Sequence, residues 1–196
     1  MNLIDTLRAK RLPAFAAITL AVGGCLAAGT ASAQTTMPAA SASSAKTTHA
    51  DSSFLKNAAE GGHAEINASK LALQKSSNAD VKAFAQKMVD EHGKADADLQ
   101  TLAASKDVKL PADATMVAKG KAKILEQRDG TGFDHAYAEN QVSAHKDAVK
   151  LFEKASKNAK DADVKAWAAK TLPTLQQHLQ EAQALEVSTK AADKKK

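Results

Sequence analysis

The sequence predicts an all-α protein, a four-helix bundle built from two helical hairpins joined by a long crossover that carries a short extra helix. Three observations predict it. The stretch Asn78-Ala-Asp-Val-Lys-Ala-Phe-Ala-Gln-Lys-Met88 returns as Asp161-Ala-Asp-Val-Lys-Ala-Trp-Ala-Ala-Lys-Thr171, each copy opening on a residue able to cap a helix and then spacing apolar side chains three and four apart. Each copy is preceded by another helical run that begins near a Phe, at Phe54 and at Phe133, so the repeated unit is a helical hairpin used twice. Finally, 44% of the residues are apolar and the composition is Ala- and Lys-rich, with five Phe, one Trp and one Tyr, which suits closely packed helices better than a β-sandwich.

In chain order, residues 1–33 read as a secretory signal. Arg8, Lys10 and Arg11 precede the apolar or small run from Leu12 to Ala28, and Ala31-Ser-Ala33 supplies small residues before a cut. Pro13 and the Gly23-Gly24 pair argue against a permanent membrane span. Cys25, the single cysteine, opens a second processing route: Val22-Gly-Gly-Cys25 resembles a lipoprotein box, with a signal of residues 1–24 and a lipid on Cys25 that would attach the N-terminus to a membrane. Both routes export the chain to the periplasm or the outer membrane. One cysteine also excludes an internal disulfide. Residues 34–51 are Ser, Thr and Ala with almost no large apolar side chain, the composition of a disordered spacer.

The bundle is expected over residues 52–189. Ser52 or Ser53 should cap a first helix reaching about Ser76, with Leu55, Ala58, Gly62, Glu65, Ser69 and Ala72 on one stripe. Gly61-Gly62 within it reads as a site where a neighbouring helix comes close. After the turn at Ser77-Asn78, a second helix from Ala79 to about Ser105 sets Val81, Phe84, Met88, His92, Leu99 and Leu102 in its seam. Pro111 ends that hairpin, and a short helix over Asp113 to Arg128, with Asp113 as its cap, occupies the crossover. The second hairpin starts at Thr131 or Gly132, runs through Tyr137, His145 and Phe152 to about Asn158, and returns along Val164, Trp167, Leu175 and His178. Trp167 takes the place of Phe84 in the repeat and reads as core, while Pro173 is expected to bend its helix. Residues 190–196 form a basic, frayed tail.

The formal charge of +5 does not indicate a nucleic-acid partner. Only three of the 27 basic residues are Arg, and residues 1–33 together with the terminal lysines hold most of the excess. The bundle itself is near neutrality and has no electrostatic footprint for a phosphate backbone.

Four polar residues interrupt the apolar stripes, one on each main helix: Glu65, His92, His145 and His178. Counted from the hairpin turns at about 1.5 Å per residue, Glu65 lies roughly 18 Å deep, His92 and His145 roughly 20 Å and His178 roughly 26 Å, close enough in level to meet. Imidazole and carboxylate converging in a bundle form the ligand set of a transition-metal ion such as Zn, Cu, Ni or Fe. A metal-free reading also fits, in which each His bonds Glu65, Tyr137 or buried water. The di-iron arrangement needs Glu-x-x-His on two helices. Val89 and Leu175 stand three residues before His92 and His178, which argues against that arrangement and leaves at most a mononuclear site. No nucleophile-base pair, Gly-rich phosphate loop or paired-Cys motif is present.

Several of these features together resemble a known bacterial family. Phe54-Leu-Lys-Asn-Ala-Ala-Glu-Gly-Gly62 with Glu65, Val81-Lys-Ala-Phe-Ala-Gln-Lys-Met-Val89 with His92, Phe133-Asp134 with Tyr137 and His145, and Thr171-Leu-Pro173 with His178 are similar to the family called domain of unknown function 4142. The resemblance covers about residues 52–186. It implies a ferritin-like bundle in exported proteins often labelled outer-membrane proteins, with no established activity, and gives Asp134 and Tyr137 places beside the four stripe residues. Glu91 departs from the Asp that more usually precedes the His.

The functional expectation is an exported, non-enzymatic envelope accessory protein that binds one metal ion in its core. The alternative is a structural or interaction module whose polar network holds no metal. An enzyme using a His-Tyr-Glu cluster would need an open cleft reaching His145.

Overall fold

Asn78 and Asp161, which open the two copies of the repeat, both cap helices and do so in the same way. The Asn78 side chain accepts from the amides of Asp80 and Val81, and the Asp161 side chain from those of Asp163 and Val164. A computed structural model describes residues 47–194, and the proposed signal, Cys25 and most of the spacer lie outside the described residues. Five helices follow in order: α1 (His49–Lys75), α2 (Ala79–Ser105), α3 (Met116–Glu126), α4 (Gly130–Asn158) and α5 (Ala162–Asp193). Helix α1 packs on α2 and α4 on α5; the two hairpins join through α1 against α4 and α2 against α5, with α3 lying across α1 and α4. Among the described residues no helix is long and apolar enough to cross a membrane.

Thr48, not Ser52 or Ser53, caps α1, accepting from the Asp51 amide, so His49 belongs to the helix rather than to the spacer. The earlier start has a tertiary cause. It places Asp51, 3% exposed, where its carboxylate accepts from the backbone amides of Lys160 and Asp161 at 3.0–3.2 Å, tying the start of α1 to the α4–α5 turn. Near the same end of the bundle, α2 closes with Val108 N–H donating to Ala103 O and Asp107 N–H to Ala104 O, and Asp107 takes the left-handed conformation that this cap requires.

The crossover helix is shorter than the sequence pattern suggests. Thr115 caps it, while Asp113 instead pairs with Lys119 at 2.6 Å. Of its apolar residues only Leu125 is buried; Met116 and Ile124 are 80% and 62% exposed. Helix α5 continues unbroken through Pro173 to Asp193, whose carboxylate accepts from Thr131, so residues 190–193 extend the rod instead of fraying. Trp167 is half-buried, tilted against Phe54 and Phe152 with ring centroids 5.8 and 5.2 Å away. At Gly61 and Gly62 the expected close approach is absent: an added Cβ would meet nothing within 4 Å.

The apolar core divides into two clusters. One gathers Phe84, Met88, Phe133, Tyr137 and Leu185, and the other Leu55, Leu99, Phe152, Val164 and Leu175. Along each main helix a polar stripe residue stands between them: Glu65 on α1, His92 on α2, His145 on α4 and His178 on α5. The bundle is therefore two apolar layers separated by a polar one.

Candidate metal centre

The side chains of Glu65, His92, His145 and His178 are 5%, 7%, 0% and 1% exposed, and the fold brings all four together. The three rings form a nearly equilateral triangle, with centroids 5.3–5.5 Å apart. One ligand nitrogen from each ring lies within 4.8 Å of the others.

Each imidazole has one nitrogen engaged and one buried without a partner. His145 Nδ1 donates to the Gln141 carbonyl at 2.9 Å, which fixes the tautomer and leaves Nε2 with a free lone pair. His178 Nε2 donates to the Glu91 carboxylate at 2.8 Å, which frees Nδ1 in the same way. His92 Nδ1 faces Glu65 Oε2 at 3.2 Å, and its Nε2 is unpartnered. Glu65 also places Oε1 3.4 Å from His145 Nδ1, but that proton is directed to Gln141, so the oxygen has no hydrogen bond.

Burial sets the protonation states. It pushes the imidazoles down, His92 to about 3 with help from the neighbouring His145 and His178, and His145 to about 4 despite the opposing pull of its carbonyl partner. His178 is lowered as well, again by burial, although Glu91 works against it. The same burial pushes Glu65 up to about 8. At neutral pH the layer consists of uncharged rings around a carboxyl that keeps its proton.

The other candidates fall elsewhere. Tyr137 is fully buried, but its hydroxyl pairs with Ser69 Oγ at 2.9 Å and not with an imidazole. Asp134 is buried with Oδ1 unpartnered, so that oxygen bonds none of the histidines. His63 faces Asp96 at 3.4 Å and His135 faces Glu139 at 3.3 Å, both outside the triangle. Glu91 is the residue that the stripe pattern missed. Its side chain is 36% exposed, so it lies off the apolar face that periodicity reveals, and the only signal was its place beside His92. A cavity of about 370 Å³ reaches Glu65, Glu91, His92 and His178 from the side of α3.

A family model described as a domain of unknown function (DUF4142) matches residues 36–185. The chain belongs to this family. As a DUF4142 domain it is also similar in fold to the crystal structure of a DUF305 fragment from Deinococcus radiodurans. The TM-score is 0.65 at 10% identity, over 72% of this chain and 98% of that one. That likeness carries the helical fold alone. No curated protein matches the chain.

Proposed function

We propose that this DUF4142 domain is an exported envelope accessory protein that holds a single transition-metal ion between His92, His145 and His178. The observation that carries the reading is that each of three buried rings keeps one nitrogen without a partner, in a cluster where one ligand nitrogen of each ring lies within 4.8 Å of the others. Buried polar atoms without partners are rare in native proteins, and when all are lone-pair donors a cation is the natural complement. Glu65 then serves His92, and Glu91 serves His178, as carboxylates that orient the rings instead of as direct ligands. The rings need lose no proton to bind, whereas Glu65 loses one as the ion arrives, so binding releases acid. Three neutral nitrogens suit Zn, Cu, Ni or Fe. Metal–nitrogen bonds of about 2.1 Å bring tetrahedral donors about 3.4 Å apart, so the rings close by the order of an ångström.

Elemental analysis of protein purified without an affinity tag is expected to show near-stoichiometric metal, and His145→Ala to lose it. Absence of bound metal, together with no heat on titrating Zn²⁺, Cu²⁺ or Ni²⁺ into the apoprotein, would favour the second reading: a metal-free polar network serving a structural or interaction module. Ring nitrogens that lie within 4.8 Å of one another, a looser spacing than the about 3.4 Å of tetrahedral donors, are the observation on its side. Export rests on the basic, apolar and small-residue order of residues 1–33. Mass spectrometry of the mature chain checks it: a terminus at Gln34 or at a lipid-bearing Cys25 is expected, and an intact Met1 in the cell removes this part of the proposal.

A further inference from the structure

Helix α3 is carried on the outside of the bundle, across α1 and α4, and its two faces differ. The inner face is made of Ala118, Ala122 and the buried Leu125. The outer face is apolar too, yet no helix covers it. Four large apolar side chains are strongly exposed among the described residues, and three of them, Met116, Val117 and Ile124, belong to this one short helix. At 3.6 residues per turn they fall with Gly120 on a single stripe about 100° wide.

Cations border the stripe on both edges. Lys119 and Lys123 stand three and seven residues after Met116, and Lys121 four residues after Val117, spacings that set them beside those side chains on the helix surface. Arg128 follows just past the end of the helix. The nearby acids are engaged or turned away. Asp113 pairs with Lys119 and Asp129 with Lys75, while Glu126 lies two residues beyond Ile124, about 200° around the helix. Lys121, Lys123 and Arg128 are exposed, and among the described residues none of them is in an ion pair.

We infer that α3 is a membrane-surface helix, in which Met116, Val117 and Ile124 enter the interface of an anionic phospholipid bilayer while Lys121, Lys123 and Arg128 stay at the level of its phosphates. An apolar stripe between cations matches that surface twice over, because the stripe finds hydrocarbon and the cations find a negative surface potential. Lysine stems also lie along apolar material while the ammonium stays in water. A protein partner fits less well. The 11 residues of α3 make a rod about 16 Å long, whose one free face falls far short of the about 800 Å² that a stable partner covers, and it has no aromatic anchor. The inference stands apart from the histidines and needs no metal.

The unlipidated mature chain starting at Gln34, which has no cysteine, provides the test. Sedimentation with vesicles is expected to show binding at least about 10-fold tighter to equal parts phosphatidylglycerol and phosphatidylcholine than to phosphatidylcholine alone, weakening with added salt. Met116→Ser with Ile124→Ser, and separately Lys121→Glu with Lys123→Glu, are each expected to weaken that binding about 10-fold and to leave the fold intact by circular dichroism, since all four side chains are exposed. An environment-sensitive dye on Ile124→Cys should shift to the blue with anionic vesicles. The same dye on Asp98→Cys, at the exposed pair with Lys170 between α2 and α5, should not. No preference for the anionic vesicles, a dye at Ile124 that stays in water, or binding untouched by the serine pair would each overturn the inference. Binding that survives the glutamate pair but is lost on removing residues 194–196 would assign it to the basic tail and overturn it as well. So would a blue shift that follows protein concentration without lipid, which gives the stripe to a second copy of the chain.

Discussion

The layers on either side of the histidines and the layer that contains them are built on opposite rules. In the outer layers the large side chains are apolar and Tyr137 is paired with Ser69, while the unpartnered Asp134 Oδ1 bonds no imidazole. In the middle layer the rings stand 5.3–5.5 Å apart, burial is as deep, and polar atoms go without partners. Unpaired buried polar groups cost about 1–3 kcal/mol each, so the middle layer is destabilising when empty and the outer layers must hold the bundle together. Stability and binding are therefore separable. Phe133 is fully buried, stacked on Tyr137 at 6.4 Å and nearly parallel to it. Phe133→Ala is expected to destabilise the fold by about 3–5 kcal/mol in chemical denaturation while leaving the affinity of folded protein for metal within about twofold. A large loss of affinity would show the layers to be coupled.

The middle layer also makes stability depend on pH in a way that the outer layers cannot. His92 and His145 have folded pKa values of about 3 and 4, below the ordinary 6.5, so the unfolded chain binds more protons under acid and stability is lost as pH falls from about 6.5. Glu65 has the opposite sign. Its folded value is about 8 against 4.5, so the folded chain holds the extra proton and stability is lost as pH rises toward 8. Between 4.5 and 6.5 the imidazoles outnumber the carboxyl and stability still increases with pH. The metal-free protein should thus be most stable near pH 6.5 and lose about 1 kcal/mol by pH 8, the decline from Glu65 being partly offset by the imidazoles. Glu65→Gln removes the alkaline decline and keeps the acid one. Denaturation midpoints measured across this range check both arms, and an unchanged decline in Glu65→Gln would assign it to another group.

The same contrast explains what the sequence revealed. Local chemistry was readable: the caps Asn78 and Asp161 fixed the starts of α2 and α5, and the stripe pattern placed Glu65, His92, His145 and His178 on inward faces of four helices. Depth was read less well. His178 counts about 6 Å deeper from its turn than His92 or His145, yet the rings meet, because the levels of two hairpins joined by a crossover are not set by their turns. Partners that are not apolar left no periodic trace. The carbonyl of Gln141 has no side-chain signature, Glu91 lies at the edge of solvent, and Asp51 acts across 109 residues on Lys160.

Gly62 gives the smallest effect and the sharpest contrast between packing and opening. If glycine were present so that a helix could approach, Gly62→Ala would push that helix away and lower stability, as overpacking does by about 1–3 kcal/mol. The position instead borders the cavity, and a Cβ there meets nothing within 4 Å. Alanine should then add its helix propensity without a steric penalty, raising stability by about 1 kcal/mol. Metal affinity should not change, since Gly62 touches none of the rings. A loss of stability in thermal denaturation would restore close packing as the reason for the glycine, and a gain would mean that this stretch of α1 keeps open space beside the polar layer at the expense of a more stable helix.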